Sequence, residues 1–145
     1  MSFRRVLIAL DQSAAATRAL DVGRELAQAL GAEVACVHVV DPTLAAALEG
    51  GAPTITLLAT LKQEGRHLLT TAAARLNSTP PPWQFLREGS PPQEIMAAAQ
   101  EWGADLLVLG TRGRSRLARA LWGSTAEAVV RQAPCPVVVV RPPQR

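Results

Sequence analysis

Two glycine groups separated by nine residues, Gly110-Thr111-Arg112-Gly113 and Gly123-Ser124-Thr125, are the segments of this sequence best suited to chemistry, and that chemistry is anion binding. Glycine lets a backbone pass close to an anion and turn several N–H groups toward it, while the first turn of a helix offers unpaired donors and a partial positive charge. The first group leaves an apolar run, Leu106 to Leu109, and the second stands where a helical pattern begins, so both are placed for phosphate. The hydroxyls of Ser124 and Thr125 add two donors. Four arginines, Arg112, Arg114, Arg116 and Arg119, fall within eight residues of the same stretch. Arg112 and Arg114 are the nearest auxiliary phosphate contacts, since a guanidinium suits bidentate contact with phosphate, although a solvated loop accounts for each arginine equally well. The segment lacks the Gly-Lys-Ser/Thr ending of a P-loop and the tight Gly-x-Gly-x-x-Gly of a dinucleotide fold, so it is a different phosphate loop.

Other residues admit a plainer role. Asp11 ends the first apolar run and stands either to cap the next helix or to meet a ligand or water at a strand's carboxyl end. Ser124 with Glu127 three residues later matches a capping box, which explains the pair without a ligand. His38 has no acid or nucleophile close by in the sequence and reads as a hydrogen-bonded core residue. Trp122 is read as packing against the body or a partner in preference to stacking on a purine. No general base or water-positioning residue stands out, so binding with little or no turnover is expected.

The elements that must position these residues alternate. Val6 to Leu10 is a strand covered on both faces, followed by a helix capped at Ser13, with Ala16, Ala19, Leu20, Gly23, Leu26, Ala27 and Leu30 at helical spacing until Gly31. Val34 to Val40 is a second strand. Residues 41 to 53 read as a loop with a short helical turn at Leu44 to Leu48, serving as a lid or contact surface. A helix marked by Ile55, Leu58, Leu61, Leu68, Leu69, Ala72 and Leu76 stops before Pro80-Pro81-Pro82. Trp83 to Arg87 is a third strand, and Ser90-Pro91-Pro92-Gln93 opens a helix that runs to Trp102 with Ser90 as its cap. A strand from Leu106, a helix from Ser124 to Gln132 and a last strand, Pro136 to Arg141, complete an α/β pattern: a parallel sheet with helices on both faces.

Length and composition agree with one domain spanning 1–145, since 145 residues can bury a core without disulfides or metals. Apolar residues make up 48% and charged residues 19%, far from a disordered profile. The net charge is only +3, and Lys62 is the one lysine. Cys36 and Cys135 form no Cys-x-x-Cys pair and read as buried thiols. The apolar run after Met1-Ser2-Phe3-Arg4-Arg5 is too short for a signal sequence and no segment approaches a membrane span, so the expected location is the cytoplasm, with neither membrane nor nucleic acid as partner.

With Gly-x2-Gly-x9-Gly-Ser/Thr complete, and with Asp11-Gln12-Ser13, His38-Val39, Gly89-Ser90-Pro91 and Val137 to Val140 in place, nearly the whole sequence resembles the universal stress protein family. The resemblance implies an open five-stranded sheet of order 3-2-1-4-5, adenine nucleotide alpha hydrolase-like. It implies a bound adenine nucleotide, ATP with Mg²⁺, with Ala9, Asp11 and Val39 at the nucleoside end and Leu109 and Gly110 near adenine and ribose. Gly113, Gly123, Ser124 and Thr125 would then hold the phosphates, and Asp11 is a conceivable Mg²⁺ ligand. Trp122 stands where the family usually has Leu, and Ala9 where some ATP binders have Pro. A slow ATPase or self-phosphorylating protein, with Ser124 or Thr125 as acceptor, is the enzymatic alternative, and a ligand-free interaction scaffold is the third. The resemblance further implies a stress-related role and a homodimer through the Val137–Val140 edge strand, whose bracketing prolines leave the valine N–H groups available for pairing.

Overall fold

The computed structural model describes residues 2–50, 55–111 and 123–143. Its elements in chain order are β1 (Arg5–Ala9), α1 (Ala14–Leu30), β2 (Glu33–Val40), α2 (Pro42–Glu49), α3 (Ile55–Leu76), β3 (Trp83–Glu88), α4 (Pro91–Trp102), β4 (Leu106–Gly110), α5 (Ser124–Gln132) and β5 (Val137–Val140). All paired strands are parallel, in the order β3-β2-β1-β4-β5. The strands therefore alternate their side chains between two cores. Val6, Ile8, Cys36 and Val108 meet α1 and α3 on one face, while Leu7, Ala35, Val37 and Leu107 meet α4 and α5 on the other. Strands buried on both faces must be apolar throughout, which is why these runs show no polar alternation. Burying each of the fully enclosed Leu7, Ile8 and Leu107 contributes roughly 1.5–3 kcal/mol.

The amino end of β1 is clasped to the start of β4. Asp105 accepts the N–H of Arg4 at 3.0 and 2.9 Å and that of Arg5 at 3.0 Å. Arg5 also donates to the Trp102 carbonyl at 2.6 Å, and its guanidinium lies 5.6 Å from the centroid of the Trp102 ring.

Several local expectations are corrected. The 41–53 stretch contains an eight-residue helix, α2, where a loop with a short turn was expected. Asp41 accepts the Thr43 N–H at 2.9 Å and Pro42 takes the first helical position, a start signal that the surrounding Gly and Pro had masked. Ile55 and Leu30 sit at helix ends and are 88% and 43% exposed, not core. Ser90 holds the N-cap position of α4 but makes no side-chain cap bond. Pro92 removes the N–H at the second helical position, one of the two that such a cap serves. Ser13 does cap α1, accepting from the Ala16 N–H at 3.1 Å.

The edge strand β5 is also more selective than its sequence suggests. Leu107 donates to the Pro136 carbonyl at 3.0 Å and Thr111 to that of Val140 at 2.9 Å, with Leu107 opposite Val137 and Leu109 opposite Val139. In a parallel ladder this register turns the N–H groups of Val138 and Val140 toward β4. Only the odd-numbered residues, Val137 and Val139, point theirs to the open edge.

Of the two thiols, Cys36 is buried and Cys135 only half-buried. Burial pushes the Cys36 pKa up from 9.0 to about 12. Below pH 9 folded and unfolded chains both keep this proton, so its contribution to stability is fully present. Above pH 9 the unfolded chain releases it while the folded chain does not, and stability is lost until about pH 12. With no tyrosine and one lysine in the sequence, few other side chains titrate in that window. Denaturant unfolding at pH 8.5 and 11 should show a loss of about 2–3 kcal/mol that is much reduced in Cys36→Ala, whose baseline is itself lowered by the missing side chain. An equal alkaline loss in both proteins would exclude Cys36 as the cause.

Candidate functional site

The order of the sheet reverses direction between β1 and β4, and there the chain after β1 departs over one face and the chain after β4 over the other. That divergence opens a crevice beyond the strands' carboxyl ends, as in other open α/β sheets. In this chain it is a cavity of about 530 Å³. Ala9, Asp11, Val39, Leu109, Gly110, Gly123, Ser124 and Thr125, all candidates from the sequence, line it together. The remaining candidates, Gly113, Arg112 and Arg114, lie outside the described residues, as do Arg116, Arg119 and Trp122.

Helices α1, α2, α4 and α5 start at this crevice, and their first turns differ sharply. At α2, Asp41 lines the cavity and accepts the Thr43 N–H at 2.9 Å, and Pro42 at the first helical position carries no N–H. At α1, the carboxylate of Asp11 already accepts the Ser13 N–H at 2.8 Å, placing a negative charge beside that end. At α4, Pro91 lines the cavity and Pro92 follows it, so the first two positions carry no N–H. At α5 the N-cap is Gly123, not Ser124, and the expected capping box is absent: Glu127 instead pairs with Arg131 at 3.0 Å. The Glu127 N–H closes the first helical turn on the Gly123 carbonyl at 3.0 Å. Ser124, Thr125 and Ala126 therefore hold the unpaired N–H groups of this turn. The N–H of Gly123 is not among them, because it donates to the Thr111 carbonyl. The contribution of Gly123 to an anion site is thus its small size and cap geometry. Of these helix starts, only α5 offers, among the described residues, both a positive dipole end and a free row of donors.

Gly110 has a packing reason for its identity. A Cβ there would lie 2.7 Å from the Ala15 Cβ and 3.0 Å from its backbone carbonyl carbon, so the first turn of α1 rests directly on the glycine.

The other end of the crevice lies across β1 and combines the apolar Val39 with the polar His38 and Asp41. His38, expected in the core, is only partly buried and lines the cavity. Its Nδ1 lies 2.8 Å from the Leu10 carbonyl oxygen. A carbonyl can only accept, so Nδ1 is the donor in this contact and Nε2 faces away from it. Leu61 and Glu64 of α3 and Ile95 of α4 complete this end. The sequence reading missed these residues and the buried Thr111. Thr111 had a signal in its place beside Gly110, whereas Glu64 had none, since nothing local links residue 64 to β1. Among the described residues no group of three or more His, Cys, Asp or Glu side chains is arranged to hold a metal ion. Nor is any helix of them long and apolar enough to cross a membrane.

Fold and crevice together define an open, doubly wound α/β protein with a candidate ligand site at its switch point. The chain belongs to the universal stress protein family, whose pattern matches residues 2–141. A universal stress protein of Methanocaldococcus jannaschii is 33% identical over 150 residues, covering 99% of this chain and 85% of the relative. The solved UspA of Lactobacillus plantarum is 26% identical with a TM-score of 0.79, covering 97% of this chain and 99% of that one. A universal stress protein of Archaeoglobus fulgidus, solved in complex with dAMP, shares the fold at 23% identity and a TM-score of 0.68, covering 97% of this chain and 99% of that one.

Proposed function

We propose that this chain is a single-domain binding module for an adenine nucleotide, ATP in the leading reading, acting in stress response through nucleotide-dependent contacts with partners in the cytoplasm. One observation carries the proposal: a crevice of nucleotide size has, among the described residues, an anion-receptive helix start at α5 and, at the opposite end, a slot walled by Val39, Leu61 and Ile95. The polarity of the crevice matches a phosphorylated nucleoside lying across β1, with phosphates on Ser124, Thr125 and Ala126 and the nucleoside against Ala9, Asp11, Val39 and Leu109. Gly113, Arg112 and Arg114 would add phosphate contacts from the connecting segment. The dAMP complex of the Archaeoglobus protein supports the ligand class. Mg²⁺ would arrive with the triphosphate, and Asp11 is the residue placed to meet it, because only one of its carboxylate oxygens is engaged by the Ser13 N–H. Bound there, the ion would neutralise phosphate charge.

Calorimetric titration with ATP, ADP, AMP and cyclic AMP is the direct test, and absence of binding by all four would overturn the proposal. Single-turnover assays with labelled ATP separate a binder from a slow ATPase or a self-phosphorylating protein.

We also propose a homodimer through β5, with the outward N–H groups of Val137 and Val139 pairing with a second copy about a two-fold axis. Val139→Pro removes an outward donor and leaves the β4 ladder intact. It should convert a dimer to a monomer of 15.4 kDa by light scattering. Persistence of the dimer in this variant would place the interface elsewhere.

A further inference from the structure

We infer that Glu64 of α3 sets the choice of base, selecting a purine with an amino group at position 6 over one with a carbonyl there; this rests on the nucleotide reading above. Phosphates held at α5 lie beside β4, and α3 packs over β2 and β3. Two strand spacings, about 10 Å, separate β4 from β2, so the base reaches the end of the crevice that α3 borders. At that end Val39, Leu61 and Ile95 cover the faces of a ring without distinguishing one base from another, while the polar His38 and Asp41 are held by the Leu10 carbonyl and the Thr43 N–H. Glu64 lines the same cavity one helical turn after Leu61. Its carboxylate has no hydrogen-bond or ion-pair partner among the described residues, whereas nearby Lys62 is tied to Glu88 at 3.1 Å.

The position of Glu64 follows from its neighbour. Gly65 is buried, and a Cβ there would lie 2.8 Å from both the His38 Cδ2 and a Leu86 methyl, so a larger residue would need those two side chains to shift before α3 could settle this closely on the sheet. The close approach brings Glu64 to the crevice. A carboxylate only accepts hydrogen bonds, so it is satisfied by an exocyclic amine and opposed by a carbonyl oxygen. Because Glu64 is exposed, the discrimination is moderate, about tenfold.

The experiment is titration of the wild-type chain, Glu64→Gln and Glu64→Ala with ATP and ITP, which carry an amino and a carbonyl group at position 6. The wild type should prefer ATP by about tenfold. Glu64→Gln, whose amide both donates and accepts, should bring the ratio to about threefold or less while holding ATP affinity within a few-fold, and Glu64→Ala should lower the ratio as well. Equal binding of ATP and ITP by the wild type, or a ratio unchanged in both variants, would overturn the role of Glu64 and leave the nucleotide site standing. Failure of the wild type to bind any adenine nucleotide would overturn both.

Discussion

Ser124→Glu should abolish measurable ATP binding, a loss of at least about a hundredfold, in a protein that folds as well as the wild type or slightly better. Ser124 is the exposed first residue of α5. A carboxylate at that position is favourable to the helix dipole by roughly 0.3–1 kcal/mol, so the melting temperature should hold or rise. The same charge would sit among the donors proposed to hold phosphate. Two like charges about 4 Å apart at an effective dielectric near 20 repel by roughly 4 kcal/mol, and the triphosphate carries several charges. Ser124→Ala, which removes only the hydroxyl, should cost a few-fold, and adenosine affinity should change little in either variant. The paired readout is diagnostic, because a variant that merely unfolds cannot gain stability while losing ATP. Retained ATP affinity in Ser124→Glu would remove the α5 terminus from the site.

Gly110→Val should act in the opposite way, through the fold. The Cβ it introduces would stand 2.7 Å from the Ala15 Cβ and 3.0 Å from the Ala15 backbone, and two methyl groups extend beyond it. Backbone cannot rotate aside as a flexible side chain can. The first turn of α1 must lift from β4, costing about 3 kcal/mol and roughly 10 °C in melting temperature. Asp11 and Ser13, which lead into that turn, would move with it, so ATP binding should fall as a secondary effect. A melting temperature within about 2 °C of the wild type would show that α1 yields without cost, and Gly110 would then owe its place to the ligand alone.

The strands were legible because burial on both faces leaves an unmistakable apolar run, as in Val6 to Leu10 and Leu106 to Leu109. The glycine groups and the Ser13 cap were legible because their chemistry is local. Ile55 and Leu30 were misplaced because periodicity reports which side of a helix is apolar, not where the sheet beneath it ends. The 22 residues of α3 span about 33 Å, whereas the eight residues of β2 span about 26 Å, so a helix end overhangs. Cap patterns proved ambiguous for a related reason. Ser90 and Ser124 both satisfy the residue types, but one faces prolines without N–H groups and the other lies one position inside its helix. The part of the crevice formed by Glu64 and His38 was hidden altogether. It exists only where α3 settles over β2, and that approach depends on Gly65, whose role cannot be seen until His38 and Leu86 are beneath it.

The clasp between Asp105 and the Arg4–Arg5 backbone carries a consequence for the order in which the molecule assembles. β1 is the centre of the sheet, yet Val6 pairs with Leu106 on one side and with Val34 on the other. A chain emerging from the ribosome can therefore complete β1, β2 and β3 while β1 still presents an open edge of unpaired backbone groups flanked by the apolar Val6 to Ala9, and neither the clasp nor the β4 ladder can close until residues past Leu106 have emerged. Throughout that interval the most buried strand of the finished protein is its most exposed template for misplaced pairing. The arrival of Asp105 ahead of β4 delivers acceptors to the Arg4 and Arg5 N–H groups at the moment the vulnerable edge is sealed.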